Sequence, residues 1–363
     1  MSVAFVYGTR AEAIKVGPIV AELRNLGLRP ELICTGQHWS LLAGTPAEND
    51  LRDSVSLGLP STGAVGMWVA KAVLHVQKAL LEVRATSVVV QGDTMSVLAG
   101  AWAARRLGIP VIHVEAGIRS GNLEEPYPEE RIRRGVARIA ELHLCATVQN
   151  AANLRAEGVP ESRIRVTGNS VVSALARYTL NGHFAEPLPH VLVTMHRREW
   201  LETGEKRVIE CIQAVSDCAD RHPHLIFQWP MHPGVAEIVR RSKMPAPRKL
   251  LVTEPLPYRR MAKVLAQSIG IATDSGGLQE EAAALGVPCA VLRNVTDRPE
   301  SIQAGVARRF DPTPAGITQA ISTLLASDLP RKRVDCYGTS DAAVRIAREI
   351  AQFGVRSGHV SPT

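Results

Sequence analysis

Short runs rich in Val, Ile and Leu alternate with helical patterns along most of this chain, and polar turns close each run. That alternation restricts the fold to parallel sheets wound by helices on both faces. The first series has strand candidates at 3–7, 29–34, 87–91, 111–114, 142–146 and 164–166. Its helix candidates lie at 11–26, 66–83, 94–107, 129–140 and 149–157. A second series follows a loop rich in Gly, Pro and His at 181–190, with strands expected at 190–194, 225–228, 250–252, 269–273 and 288–292. The expectation is an α/β protein of two domains, 1–172 and 173–339, joined through TGNSVVSALARYT, with a last helix near 340–363 packing back on the first. Sheets of this kind take ligands beyond the carboxyl ends of their strands. Polar clusters fall there: GTR at 8–10, GDT at 92–94 and EAG at 115–117. Two such loop sets facing each other would form a cleft between domains.

Composition agrees. A chain of 363 residues that is 45% hydrophobic can fill two cores, and with only 4% aromatics those cores must be aliphatic. The net charge of +7 comes mostly from Arg, which suits bidentate phosphate recognition. No Lys/Arg run interleaves with aromatics, so no nucleic-acid partner is expected. Cys34, Cys145, Cys211, Cys218, Cys289 and Cys336 form no CxxC pair and are expected as reduced thiols. The N-terminal stretch lacks a signal-peptide pattern and no apolar run is long enough to span a bilayer. A cytoplasmic protein without a membrane partner is expected.

The stretch SGGLQEE at 275–281 follows an apolar run and opens a helix. N–H groups at a helix start lack intrahelical partners and carry the positive end of the dipole, so they suit a phosphate. Beside Ser275, Gly276 and Gly277 would let a diphosphate approach the backbone, and Glu281 could accept from a ribose diol. An ordinary strand–turn–helix corner, its carboxylates complementing the dipole, fits the same residues. In GTRAEAIKVGP, Arg10 sits at a strand end and Lys15 one turn into a helix, where both could face a phosphate; the loop is neither GxGxxG nor a Walker A sequence. Asp93, Glu115 and Glu129 fall at loop positions. Three carboxylates converging on one cleft would hold one another's pKa values up and could move protons near neutral pH. Taken singly, Asp93 reads as a helix N-cap and Glu129 as a first-turn carboxylate after Pro128. His196, in VTMHRRE, and His232, in WPMHPG, each follow a strand. With His222 and His224 they match no zinc spacing, so no metal is expected.

Taken together, GTRAEAIKVGPIV, TGQHWSLL, QGDTMSVLAGAWAA, HVEAGIRSGNLEEPYPEE, RVTGNSVVSAL, VTMHRRE, TDSGGLQEEAAALGVP and DRPESIQAG resemble the non-hydrolysing UDP-N-acetylglucosamine 2-epimerases in order and spacing. The resemblance implies two Rossmann-like domains in a GT-B arrangement with an interdomain active-site cleft, a homodimer, and no cofactor. It implies interconversion of UDP-GlcNAc and UDP-ManNAc by C-2 deprotonation and anti elimination of UDP to 2-acetamidoglucal, then re-addition. Asp93, Glu115 and Glu129 would be the acid/base groups, with His196 and Arg10 stabilising the leaving diphosphate. Lys15, His232, Ser275, Gly276, Gly277, Glu281 and Arg298 would line the UDP site, Arg298 closing it. Alternatives of other classes are a hydrolysing relative that releases UDP and free ManNAc, and a GT-B glycosyltransferase. The chain departs from the family at Ala11, Trp39, Ser40, Ile132 and Met261. Trp39, Ser40 and Ile132 fall where regulated relatives build an activator site, so unregulated, hyperbolic kinetics are expected.

Overall fold

A computed structural model describes residues 2–36, 46–59, 65–177, 188–202, 204–242 and 249–356. The chain divides into two units, one made of Met1–Arg177 and Gly338–Thr363, the other of Tyr178–Tyr337.

The first unit holds a seven-stranded sheet: β1 (Val3–Tyr7), β2 (Glu31–Cys34), β3 (Val55–Ser56), β4 (Ser87–Gln91), β5 (Val111–Ala116), β6 (Leu142–Cys145) and β7 (Ile164–Val166). The order is β3-β2-β1-β4-β5-β6-β7, and all the pairings are parallel. Strands β1 and β4 are buried along their whole length, which is why VAFVY and SVVVQ read as continuous rather than alternating runs. On one face, Val16, Ile19 and Val20 of the helix Arg10–Asn25 meet Ile346, Ala347 and Ile350 of the helix Ala342–Arg356. On the other, Trp68, Val76 and Leu80 of the helix Val65–Glu82 pack with Val97 of Met95–Arg106 against Val88 and Val90. Chain direction across the sheet reverses between β1 and β4, so the loops leaving those two strands open side by side.

The second unit repeats the plan with six parallel strands: β8 (His190–Thr194), β9 (Ile226–Pro230), β10 (Leu250–Thr253), β11 (Gly270–Thr273), β12 (Cys289–Leu292) and β13 (Ala307–Phe310). Their order is β10-β9-β8-β11-β12-β13, with the reversal between β8 and β11. Phe227 and Trp229 of β9 are fully buried among Val215, Ile212 and Leu292. The helix Gly276–Leu285 runs from the end of β11 and stops at Gly286, whose φ of +70° gives it a left-handed end.

The chain therefore forms the expected α/β class, two doubly wound parallel sheets. Two strands escaped the sequence reading. β3 is two exposed residues, and β13 (ARRF) turns two arginines outward between buried ends. β5 also runs two residues past its expected end, which puts Glu115 inside the strand. All six thiols are free. Among the described residues no helix is long and apolar enough to cross a membrane.

Candidate active site

Glu115 is the centre of the first unit's polar edge. Pairing of β5 with β6 skips from Val114↔Leu144 to Ala116↔Cys145, so Glu115 is the extra residue of a bulge. Its φ is +63°, a left-handed conformation that a residue with a side chain adopts at a cost of about 1–3 kcal/mol. The bulge turns its carboxylate into a ring of donors. Lys15 Nζ donates to both oxygens at 2.7 and 2.8 Å, Asn169 Nδ2 to one at 3.2 Å, and Gln91 Nε2 to the other. Lys15 and Glu115 are both buried. These donors favour the acceptor-only, charged form of the carboxylate. Asn169, which sequence reasoning did not single out, is fixed by capping the helix Ser170–Ala176 through Val171 N–H at 3.0 Å.

Asp93 leaves β4 in the neighbouring loop. It does not cap the helix that follows; Thr94 does, accepting from Val97 N–H. Asp93 instead accepts from buried Arg133, Nε at 2.8 Å and Nη2 at 2.5 Å. Arg133 projects from the helix Glu129–Ala137, which Glu129 begins directly after Pro128. Glu130, fully buried, accepts from Ser120 N–H at 3.1 Å and from Arg133 and Arg134 at 3.3 and 3.4 Å. Asp93 and Glu115 each carry a cation, Arg133 on the first and Lys15 on the second. Ile132 is buried in the core against the helix Met95–Arg106. Trp39 and Ser40 lie outside the described residues.

Arg10 opens its helix behind Thr9 and Glu12, which form a capping box. Glu12 accepts from Gly8 N–H at 3.1 Å and Thr9 N–H at 2.7 Å, and from Thr94 Oγ1 at 2.9 Å. One buried carboxyl thus ties the Arg10 loop to the Asp93 loop, and burial pushes its pKa up to about 7. The T-x-x-E spacing announced it, yet the sequence reading passed over it. His113 of β5 donates from Nε2 to Gly92 O at 2.7 Å, and burial pushes its pKa down to about 4, so it is a neutral brace for the same loop.

In the second unit, Ser275 caps Gly276–Leu285, its Oγ accepting from Leu278 N–H. A Cβ on Gly276 would lie 2.6 Å from the Arg298 guanidinium, whereas one on Gly277 would meet nothing within 4 Å. Gly276 therefore makes room for Arg298 and Gly277 leaves open space at the helix start. Arg298 is buried, with Nε donating to Glu280 at 2.7 Å and Nη1 2.8 Å from Asp297. Glu281 is buried in the same helix. His196 follows β8 and His232 follows β9; their rings stack with centroids 6.1 Å apart. Asp274, another residue the sequence reading missed, is buried at the end of β11. Its Oδ2 accepts from the N–H groups of His196 and Arg197 at 2.7 and 2.8 Å.

The family model described as "UDP-N-acetylglucosamine 2-epimerase" matches residues 21–351. A protein of Ralstonia nicotianae named "Probable UDP-N-acetylglucosamine 2-epimerase" is 34% identical over 97% of this chain and 99% of its own. Two solved structures have the same fold, each over 97% of this chain and 100% of theirs with a TM-score of 0.86. One is the UDP-GlcNAc 2-epimerase of Neisseria meningitidis bound to UDP-GlcNAc, 27% identical. The other is that of Methanocaldococcus jannaschii in complex with UDP-GlcNAc and UDP, 28% identical. With the family matched along most of its length and a relative of that identity covering it almost entirely, the chain belongs to the UDP-N-acetylglucosamine 2-epimerase family.

Proposed function

We propose that this chain interconverts UDP-GlcNAc and UDP-ManNAc without releasing free sugar. The observation that carries the reading is Glu115, held at positive φ in a strand bulge with Lys15, Asn169 and Gln91 donating to its carboxylate. A strained, buried carboxylate at the carboxyl edge of a doubly wound sheet is placed to exchange a proton. In the proposed course one carboxylate of the set Asp93, Glu115 and Glu129 removes the C-2 proton. The C-1–oxygen bond breaks with the electron pair leaving on UDP, which gives 2-acetamidoglucal. UDP then re-adds at C-1 while a proton returns to C-2 from the opposite face. The second unit holds UDP, with diphosphate on the N–H groups after Ser275, ribose on Glu281, and His196, His232 and Arg298 completing the charge environment there, while Arg10 and Lys15 supply cations on the first unit.

A homodimer belongs to the same reading. Met67, Leu74 and Leu81 lie seven residues apart on one helix, each 62% exposed, and Trp102 on the neighbouring helix is 50% exposed. Residues at that spacing share a face, and an apolar face of that kind suits a second copy of the chain.

Incubation with UDP-GlcNAc in heavy water, followed by proton NMR, tests the activity. UDP-ManNAc carrying deuterium at C-2 is expected, with the UDP-linked sugar outweighing free ManNAc. Product without deuterium would overturn the proton-transfer course, and free ManNAc with UDP as the main products would make this a hydrolysing enzyme. Glu115→Gln and Glu129→Gln are each expected to slow exchange by about a hundredfold or more while UDP binding holds.

A further inference from the structure

The two stacked imidazoles of the second unit have different hydrogen-bond partners. His232 Nδ1 accepts from Gly234 N–H at 3.2 Å, so its neutral ring carries the proton on Nε2. His196 Nδ1 instead lies 3.3 Å from Asp274 Oδ1. Asp274 is 2% exposed, and its other oxygen is clamped by the backbone N–H groups of His196 and of the next residue. The carboxylate is thus tied to the same stretch of chain that carries the ring. Its backbone carbonyl accepts from Arg293 Nε at 2.9 Å, and Arg293 in turn pairs with Asp297, so the acid sits in a fixed frame. Among the described residues Oδ1 has no conventional hydrogen bond, and His196 Nδ1 lies beside it. A buried carboxylate oxygen is stabilised by whatever donor can reach it, so the geometry favours a proton on His196 Nδ1. The His196 side chain is 43% exposed.

We propose that Asp274 is the positioning residue of the site: it keeps the His196 proton on Nδ1, so that Nε2 is the nitrogen that addresses the substrate diphosphate. When Nε2 also holds a proton, the imidazolium donates it as a hydrogen bond to the departing diphosphate, and Asp274 balances the ring's charge. The inference rests on the reading of His196 given above and adds the group that sets its tautomer.

Selective 15N labelling of histidine in the full chain, read by long-range proton–nitrogen correlation, tests it, with the His196 signals assigned by their loss in His196→Ala. The neutral wild-type ring is expected in the Nδ1–H form. Asp274→Asn preserves shape: its amide oxygen can still accept the two backbone N–H groups, while its NH2 faces Nδ1 and drives the proton to Nε2. Turnover is expected to fall about a hundredfold, with UDP affinity changed by no more than about threefold. The double variant His196→Ala/Asp274→Asn is expected to be no slower than His196→Ala alone, because a residue acting through another adds nothing once that other is gone. An Nε2–H ring in the wild type, an unchanged tautomer in Asp274→Asn, or additive losses would each overturn the proposal. Should Asp274→Asn fail to fold, the wild-type spectrum decides alone. Should the wild type fail to epimerise UDP-GlcNAc, the functional reading falls while the tautomer result still stands or fails by itself.

Discussion

Glu12 shows how much one side chain can carry out of sight of the chemistry. Its carboxyl satisfies two N–H groups of the turn after β1 and a hydroxyl of the turn after β4, and burial lifts its pKa from 4.5 to about 7. Between those values the folded chain keeps a proton that the unfolded chain has released. Stability from this group is therefore full below about pH 4.5 and is lost as pH rises toward 7, by at most about 3 kcal/mol. His113 and His143 act in the opposite sense. Burial lowers their pKa values to about 4 and about 3, so their contribution is full above about 6.5 and is lost as pH falls. Glu12→Gln can accept the two N–H groups on its amide oxygen and donate from its NH2 to Thr94 Oγ1, without titrating. Urea midpoints across pH 4.5 to 7 are expected to fall for the wild type relative to Glu12→Gln, and parallel curves would count against this account. The sequence could name Glu115 and Asp93 because carboxylates after strand ends stand out. It could not show that Lys15 and Arg133, 100 and 40 residues away, sit against them. Asn169 and Asp274 look like an N-cap and a turn residue in the sequence, and only the strand register brings them to Glu115 and His196.

At the scale of elements, the helix Gly276–Leu285 separates two uses of glycine. The Arg298 guanidinium beside Gly276 is held between Glu280 and Asp297 and cannot swing aside cheaply. Gly276→Ala is expected to destabilise the protein by about 1–3 kcal/mol, as overpacking does. Gly277→Ala, with open space at its Cβ, is expected to leave the melting temperature unchanged and to weaken UDP binding. Thermal melts and UDP titrations of the pair check both halves; equal loss of stability would erase the distinction. Strands were legible where burial on both faces makes continuous apolar runs, as in β1, β4, β8 and β12. They were illegible where the sheet edge faces solvent, as in β3 and β13. The end of β5 was misread because a bulge breaks the periodicity that marks a strand.

For the whole molecule, the apolar stripe of Met67, Leu74 and Leu81 makes association testable. Leu74→Glu places a charge at its middle, and light scattering is expected to show half the mass of the wild type. An unchanged mass would remove this face from the assembly.

The chain path has a consequence for biosynthesis. The first unit closes only when Ile346, Ala347 and Ile350 of the helix Ala342–Arg356 cover Val16, Ile19 and Val20. Those partners stand some 330 residues apart in the order of translation. On the ribosome the first unit must wait with that face uncovered while the whole second unit is made, so the second unit can finish first although it starts later. A premature stop codon shortly before residue 342 would leave the nascent Arg10–Asn25 helix a client for chaperones, and its damage would fall on the end of the protein that had been synthesised first.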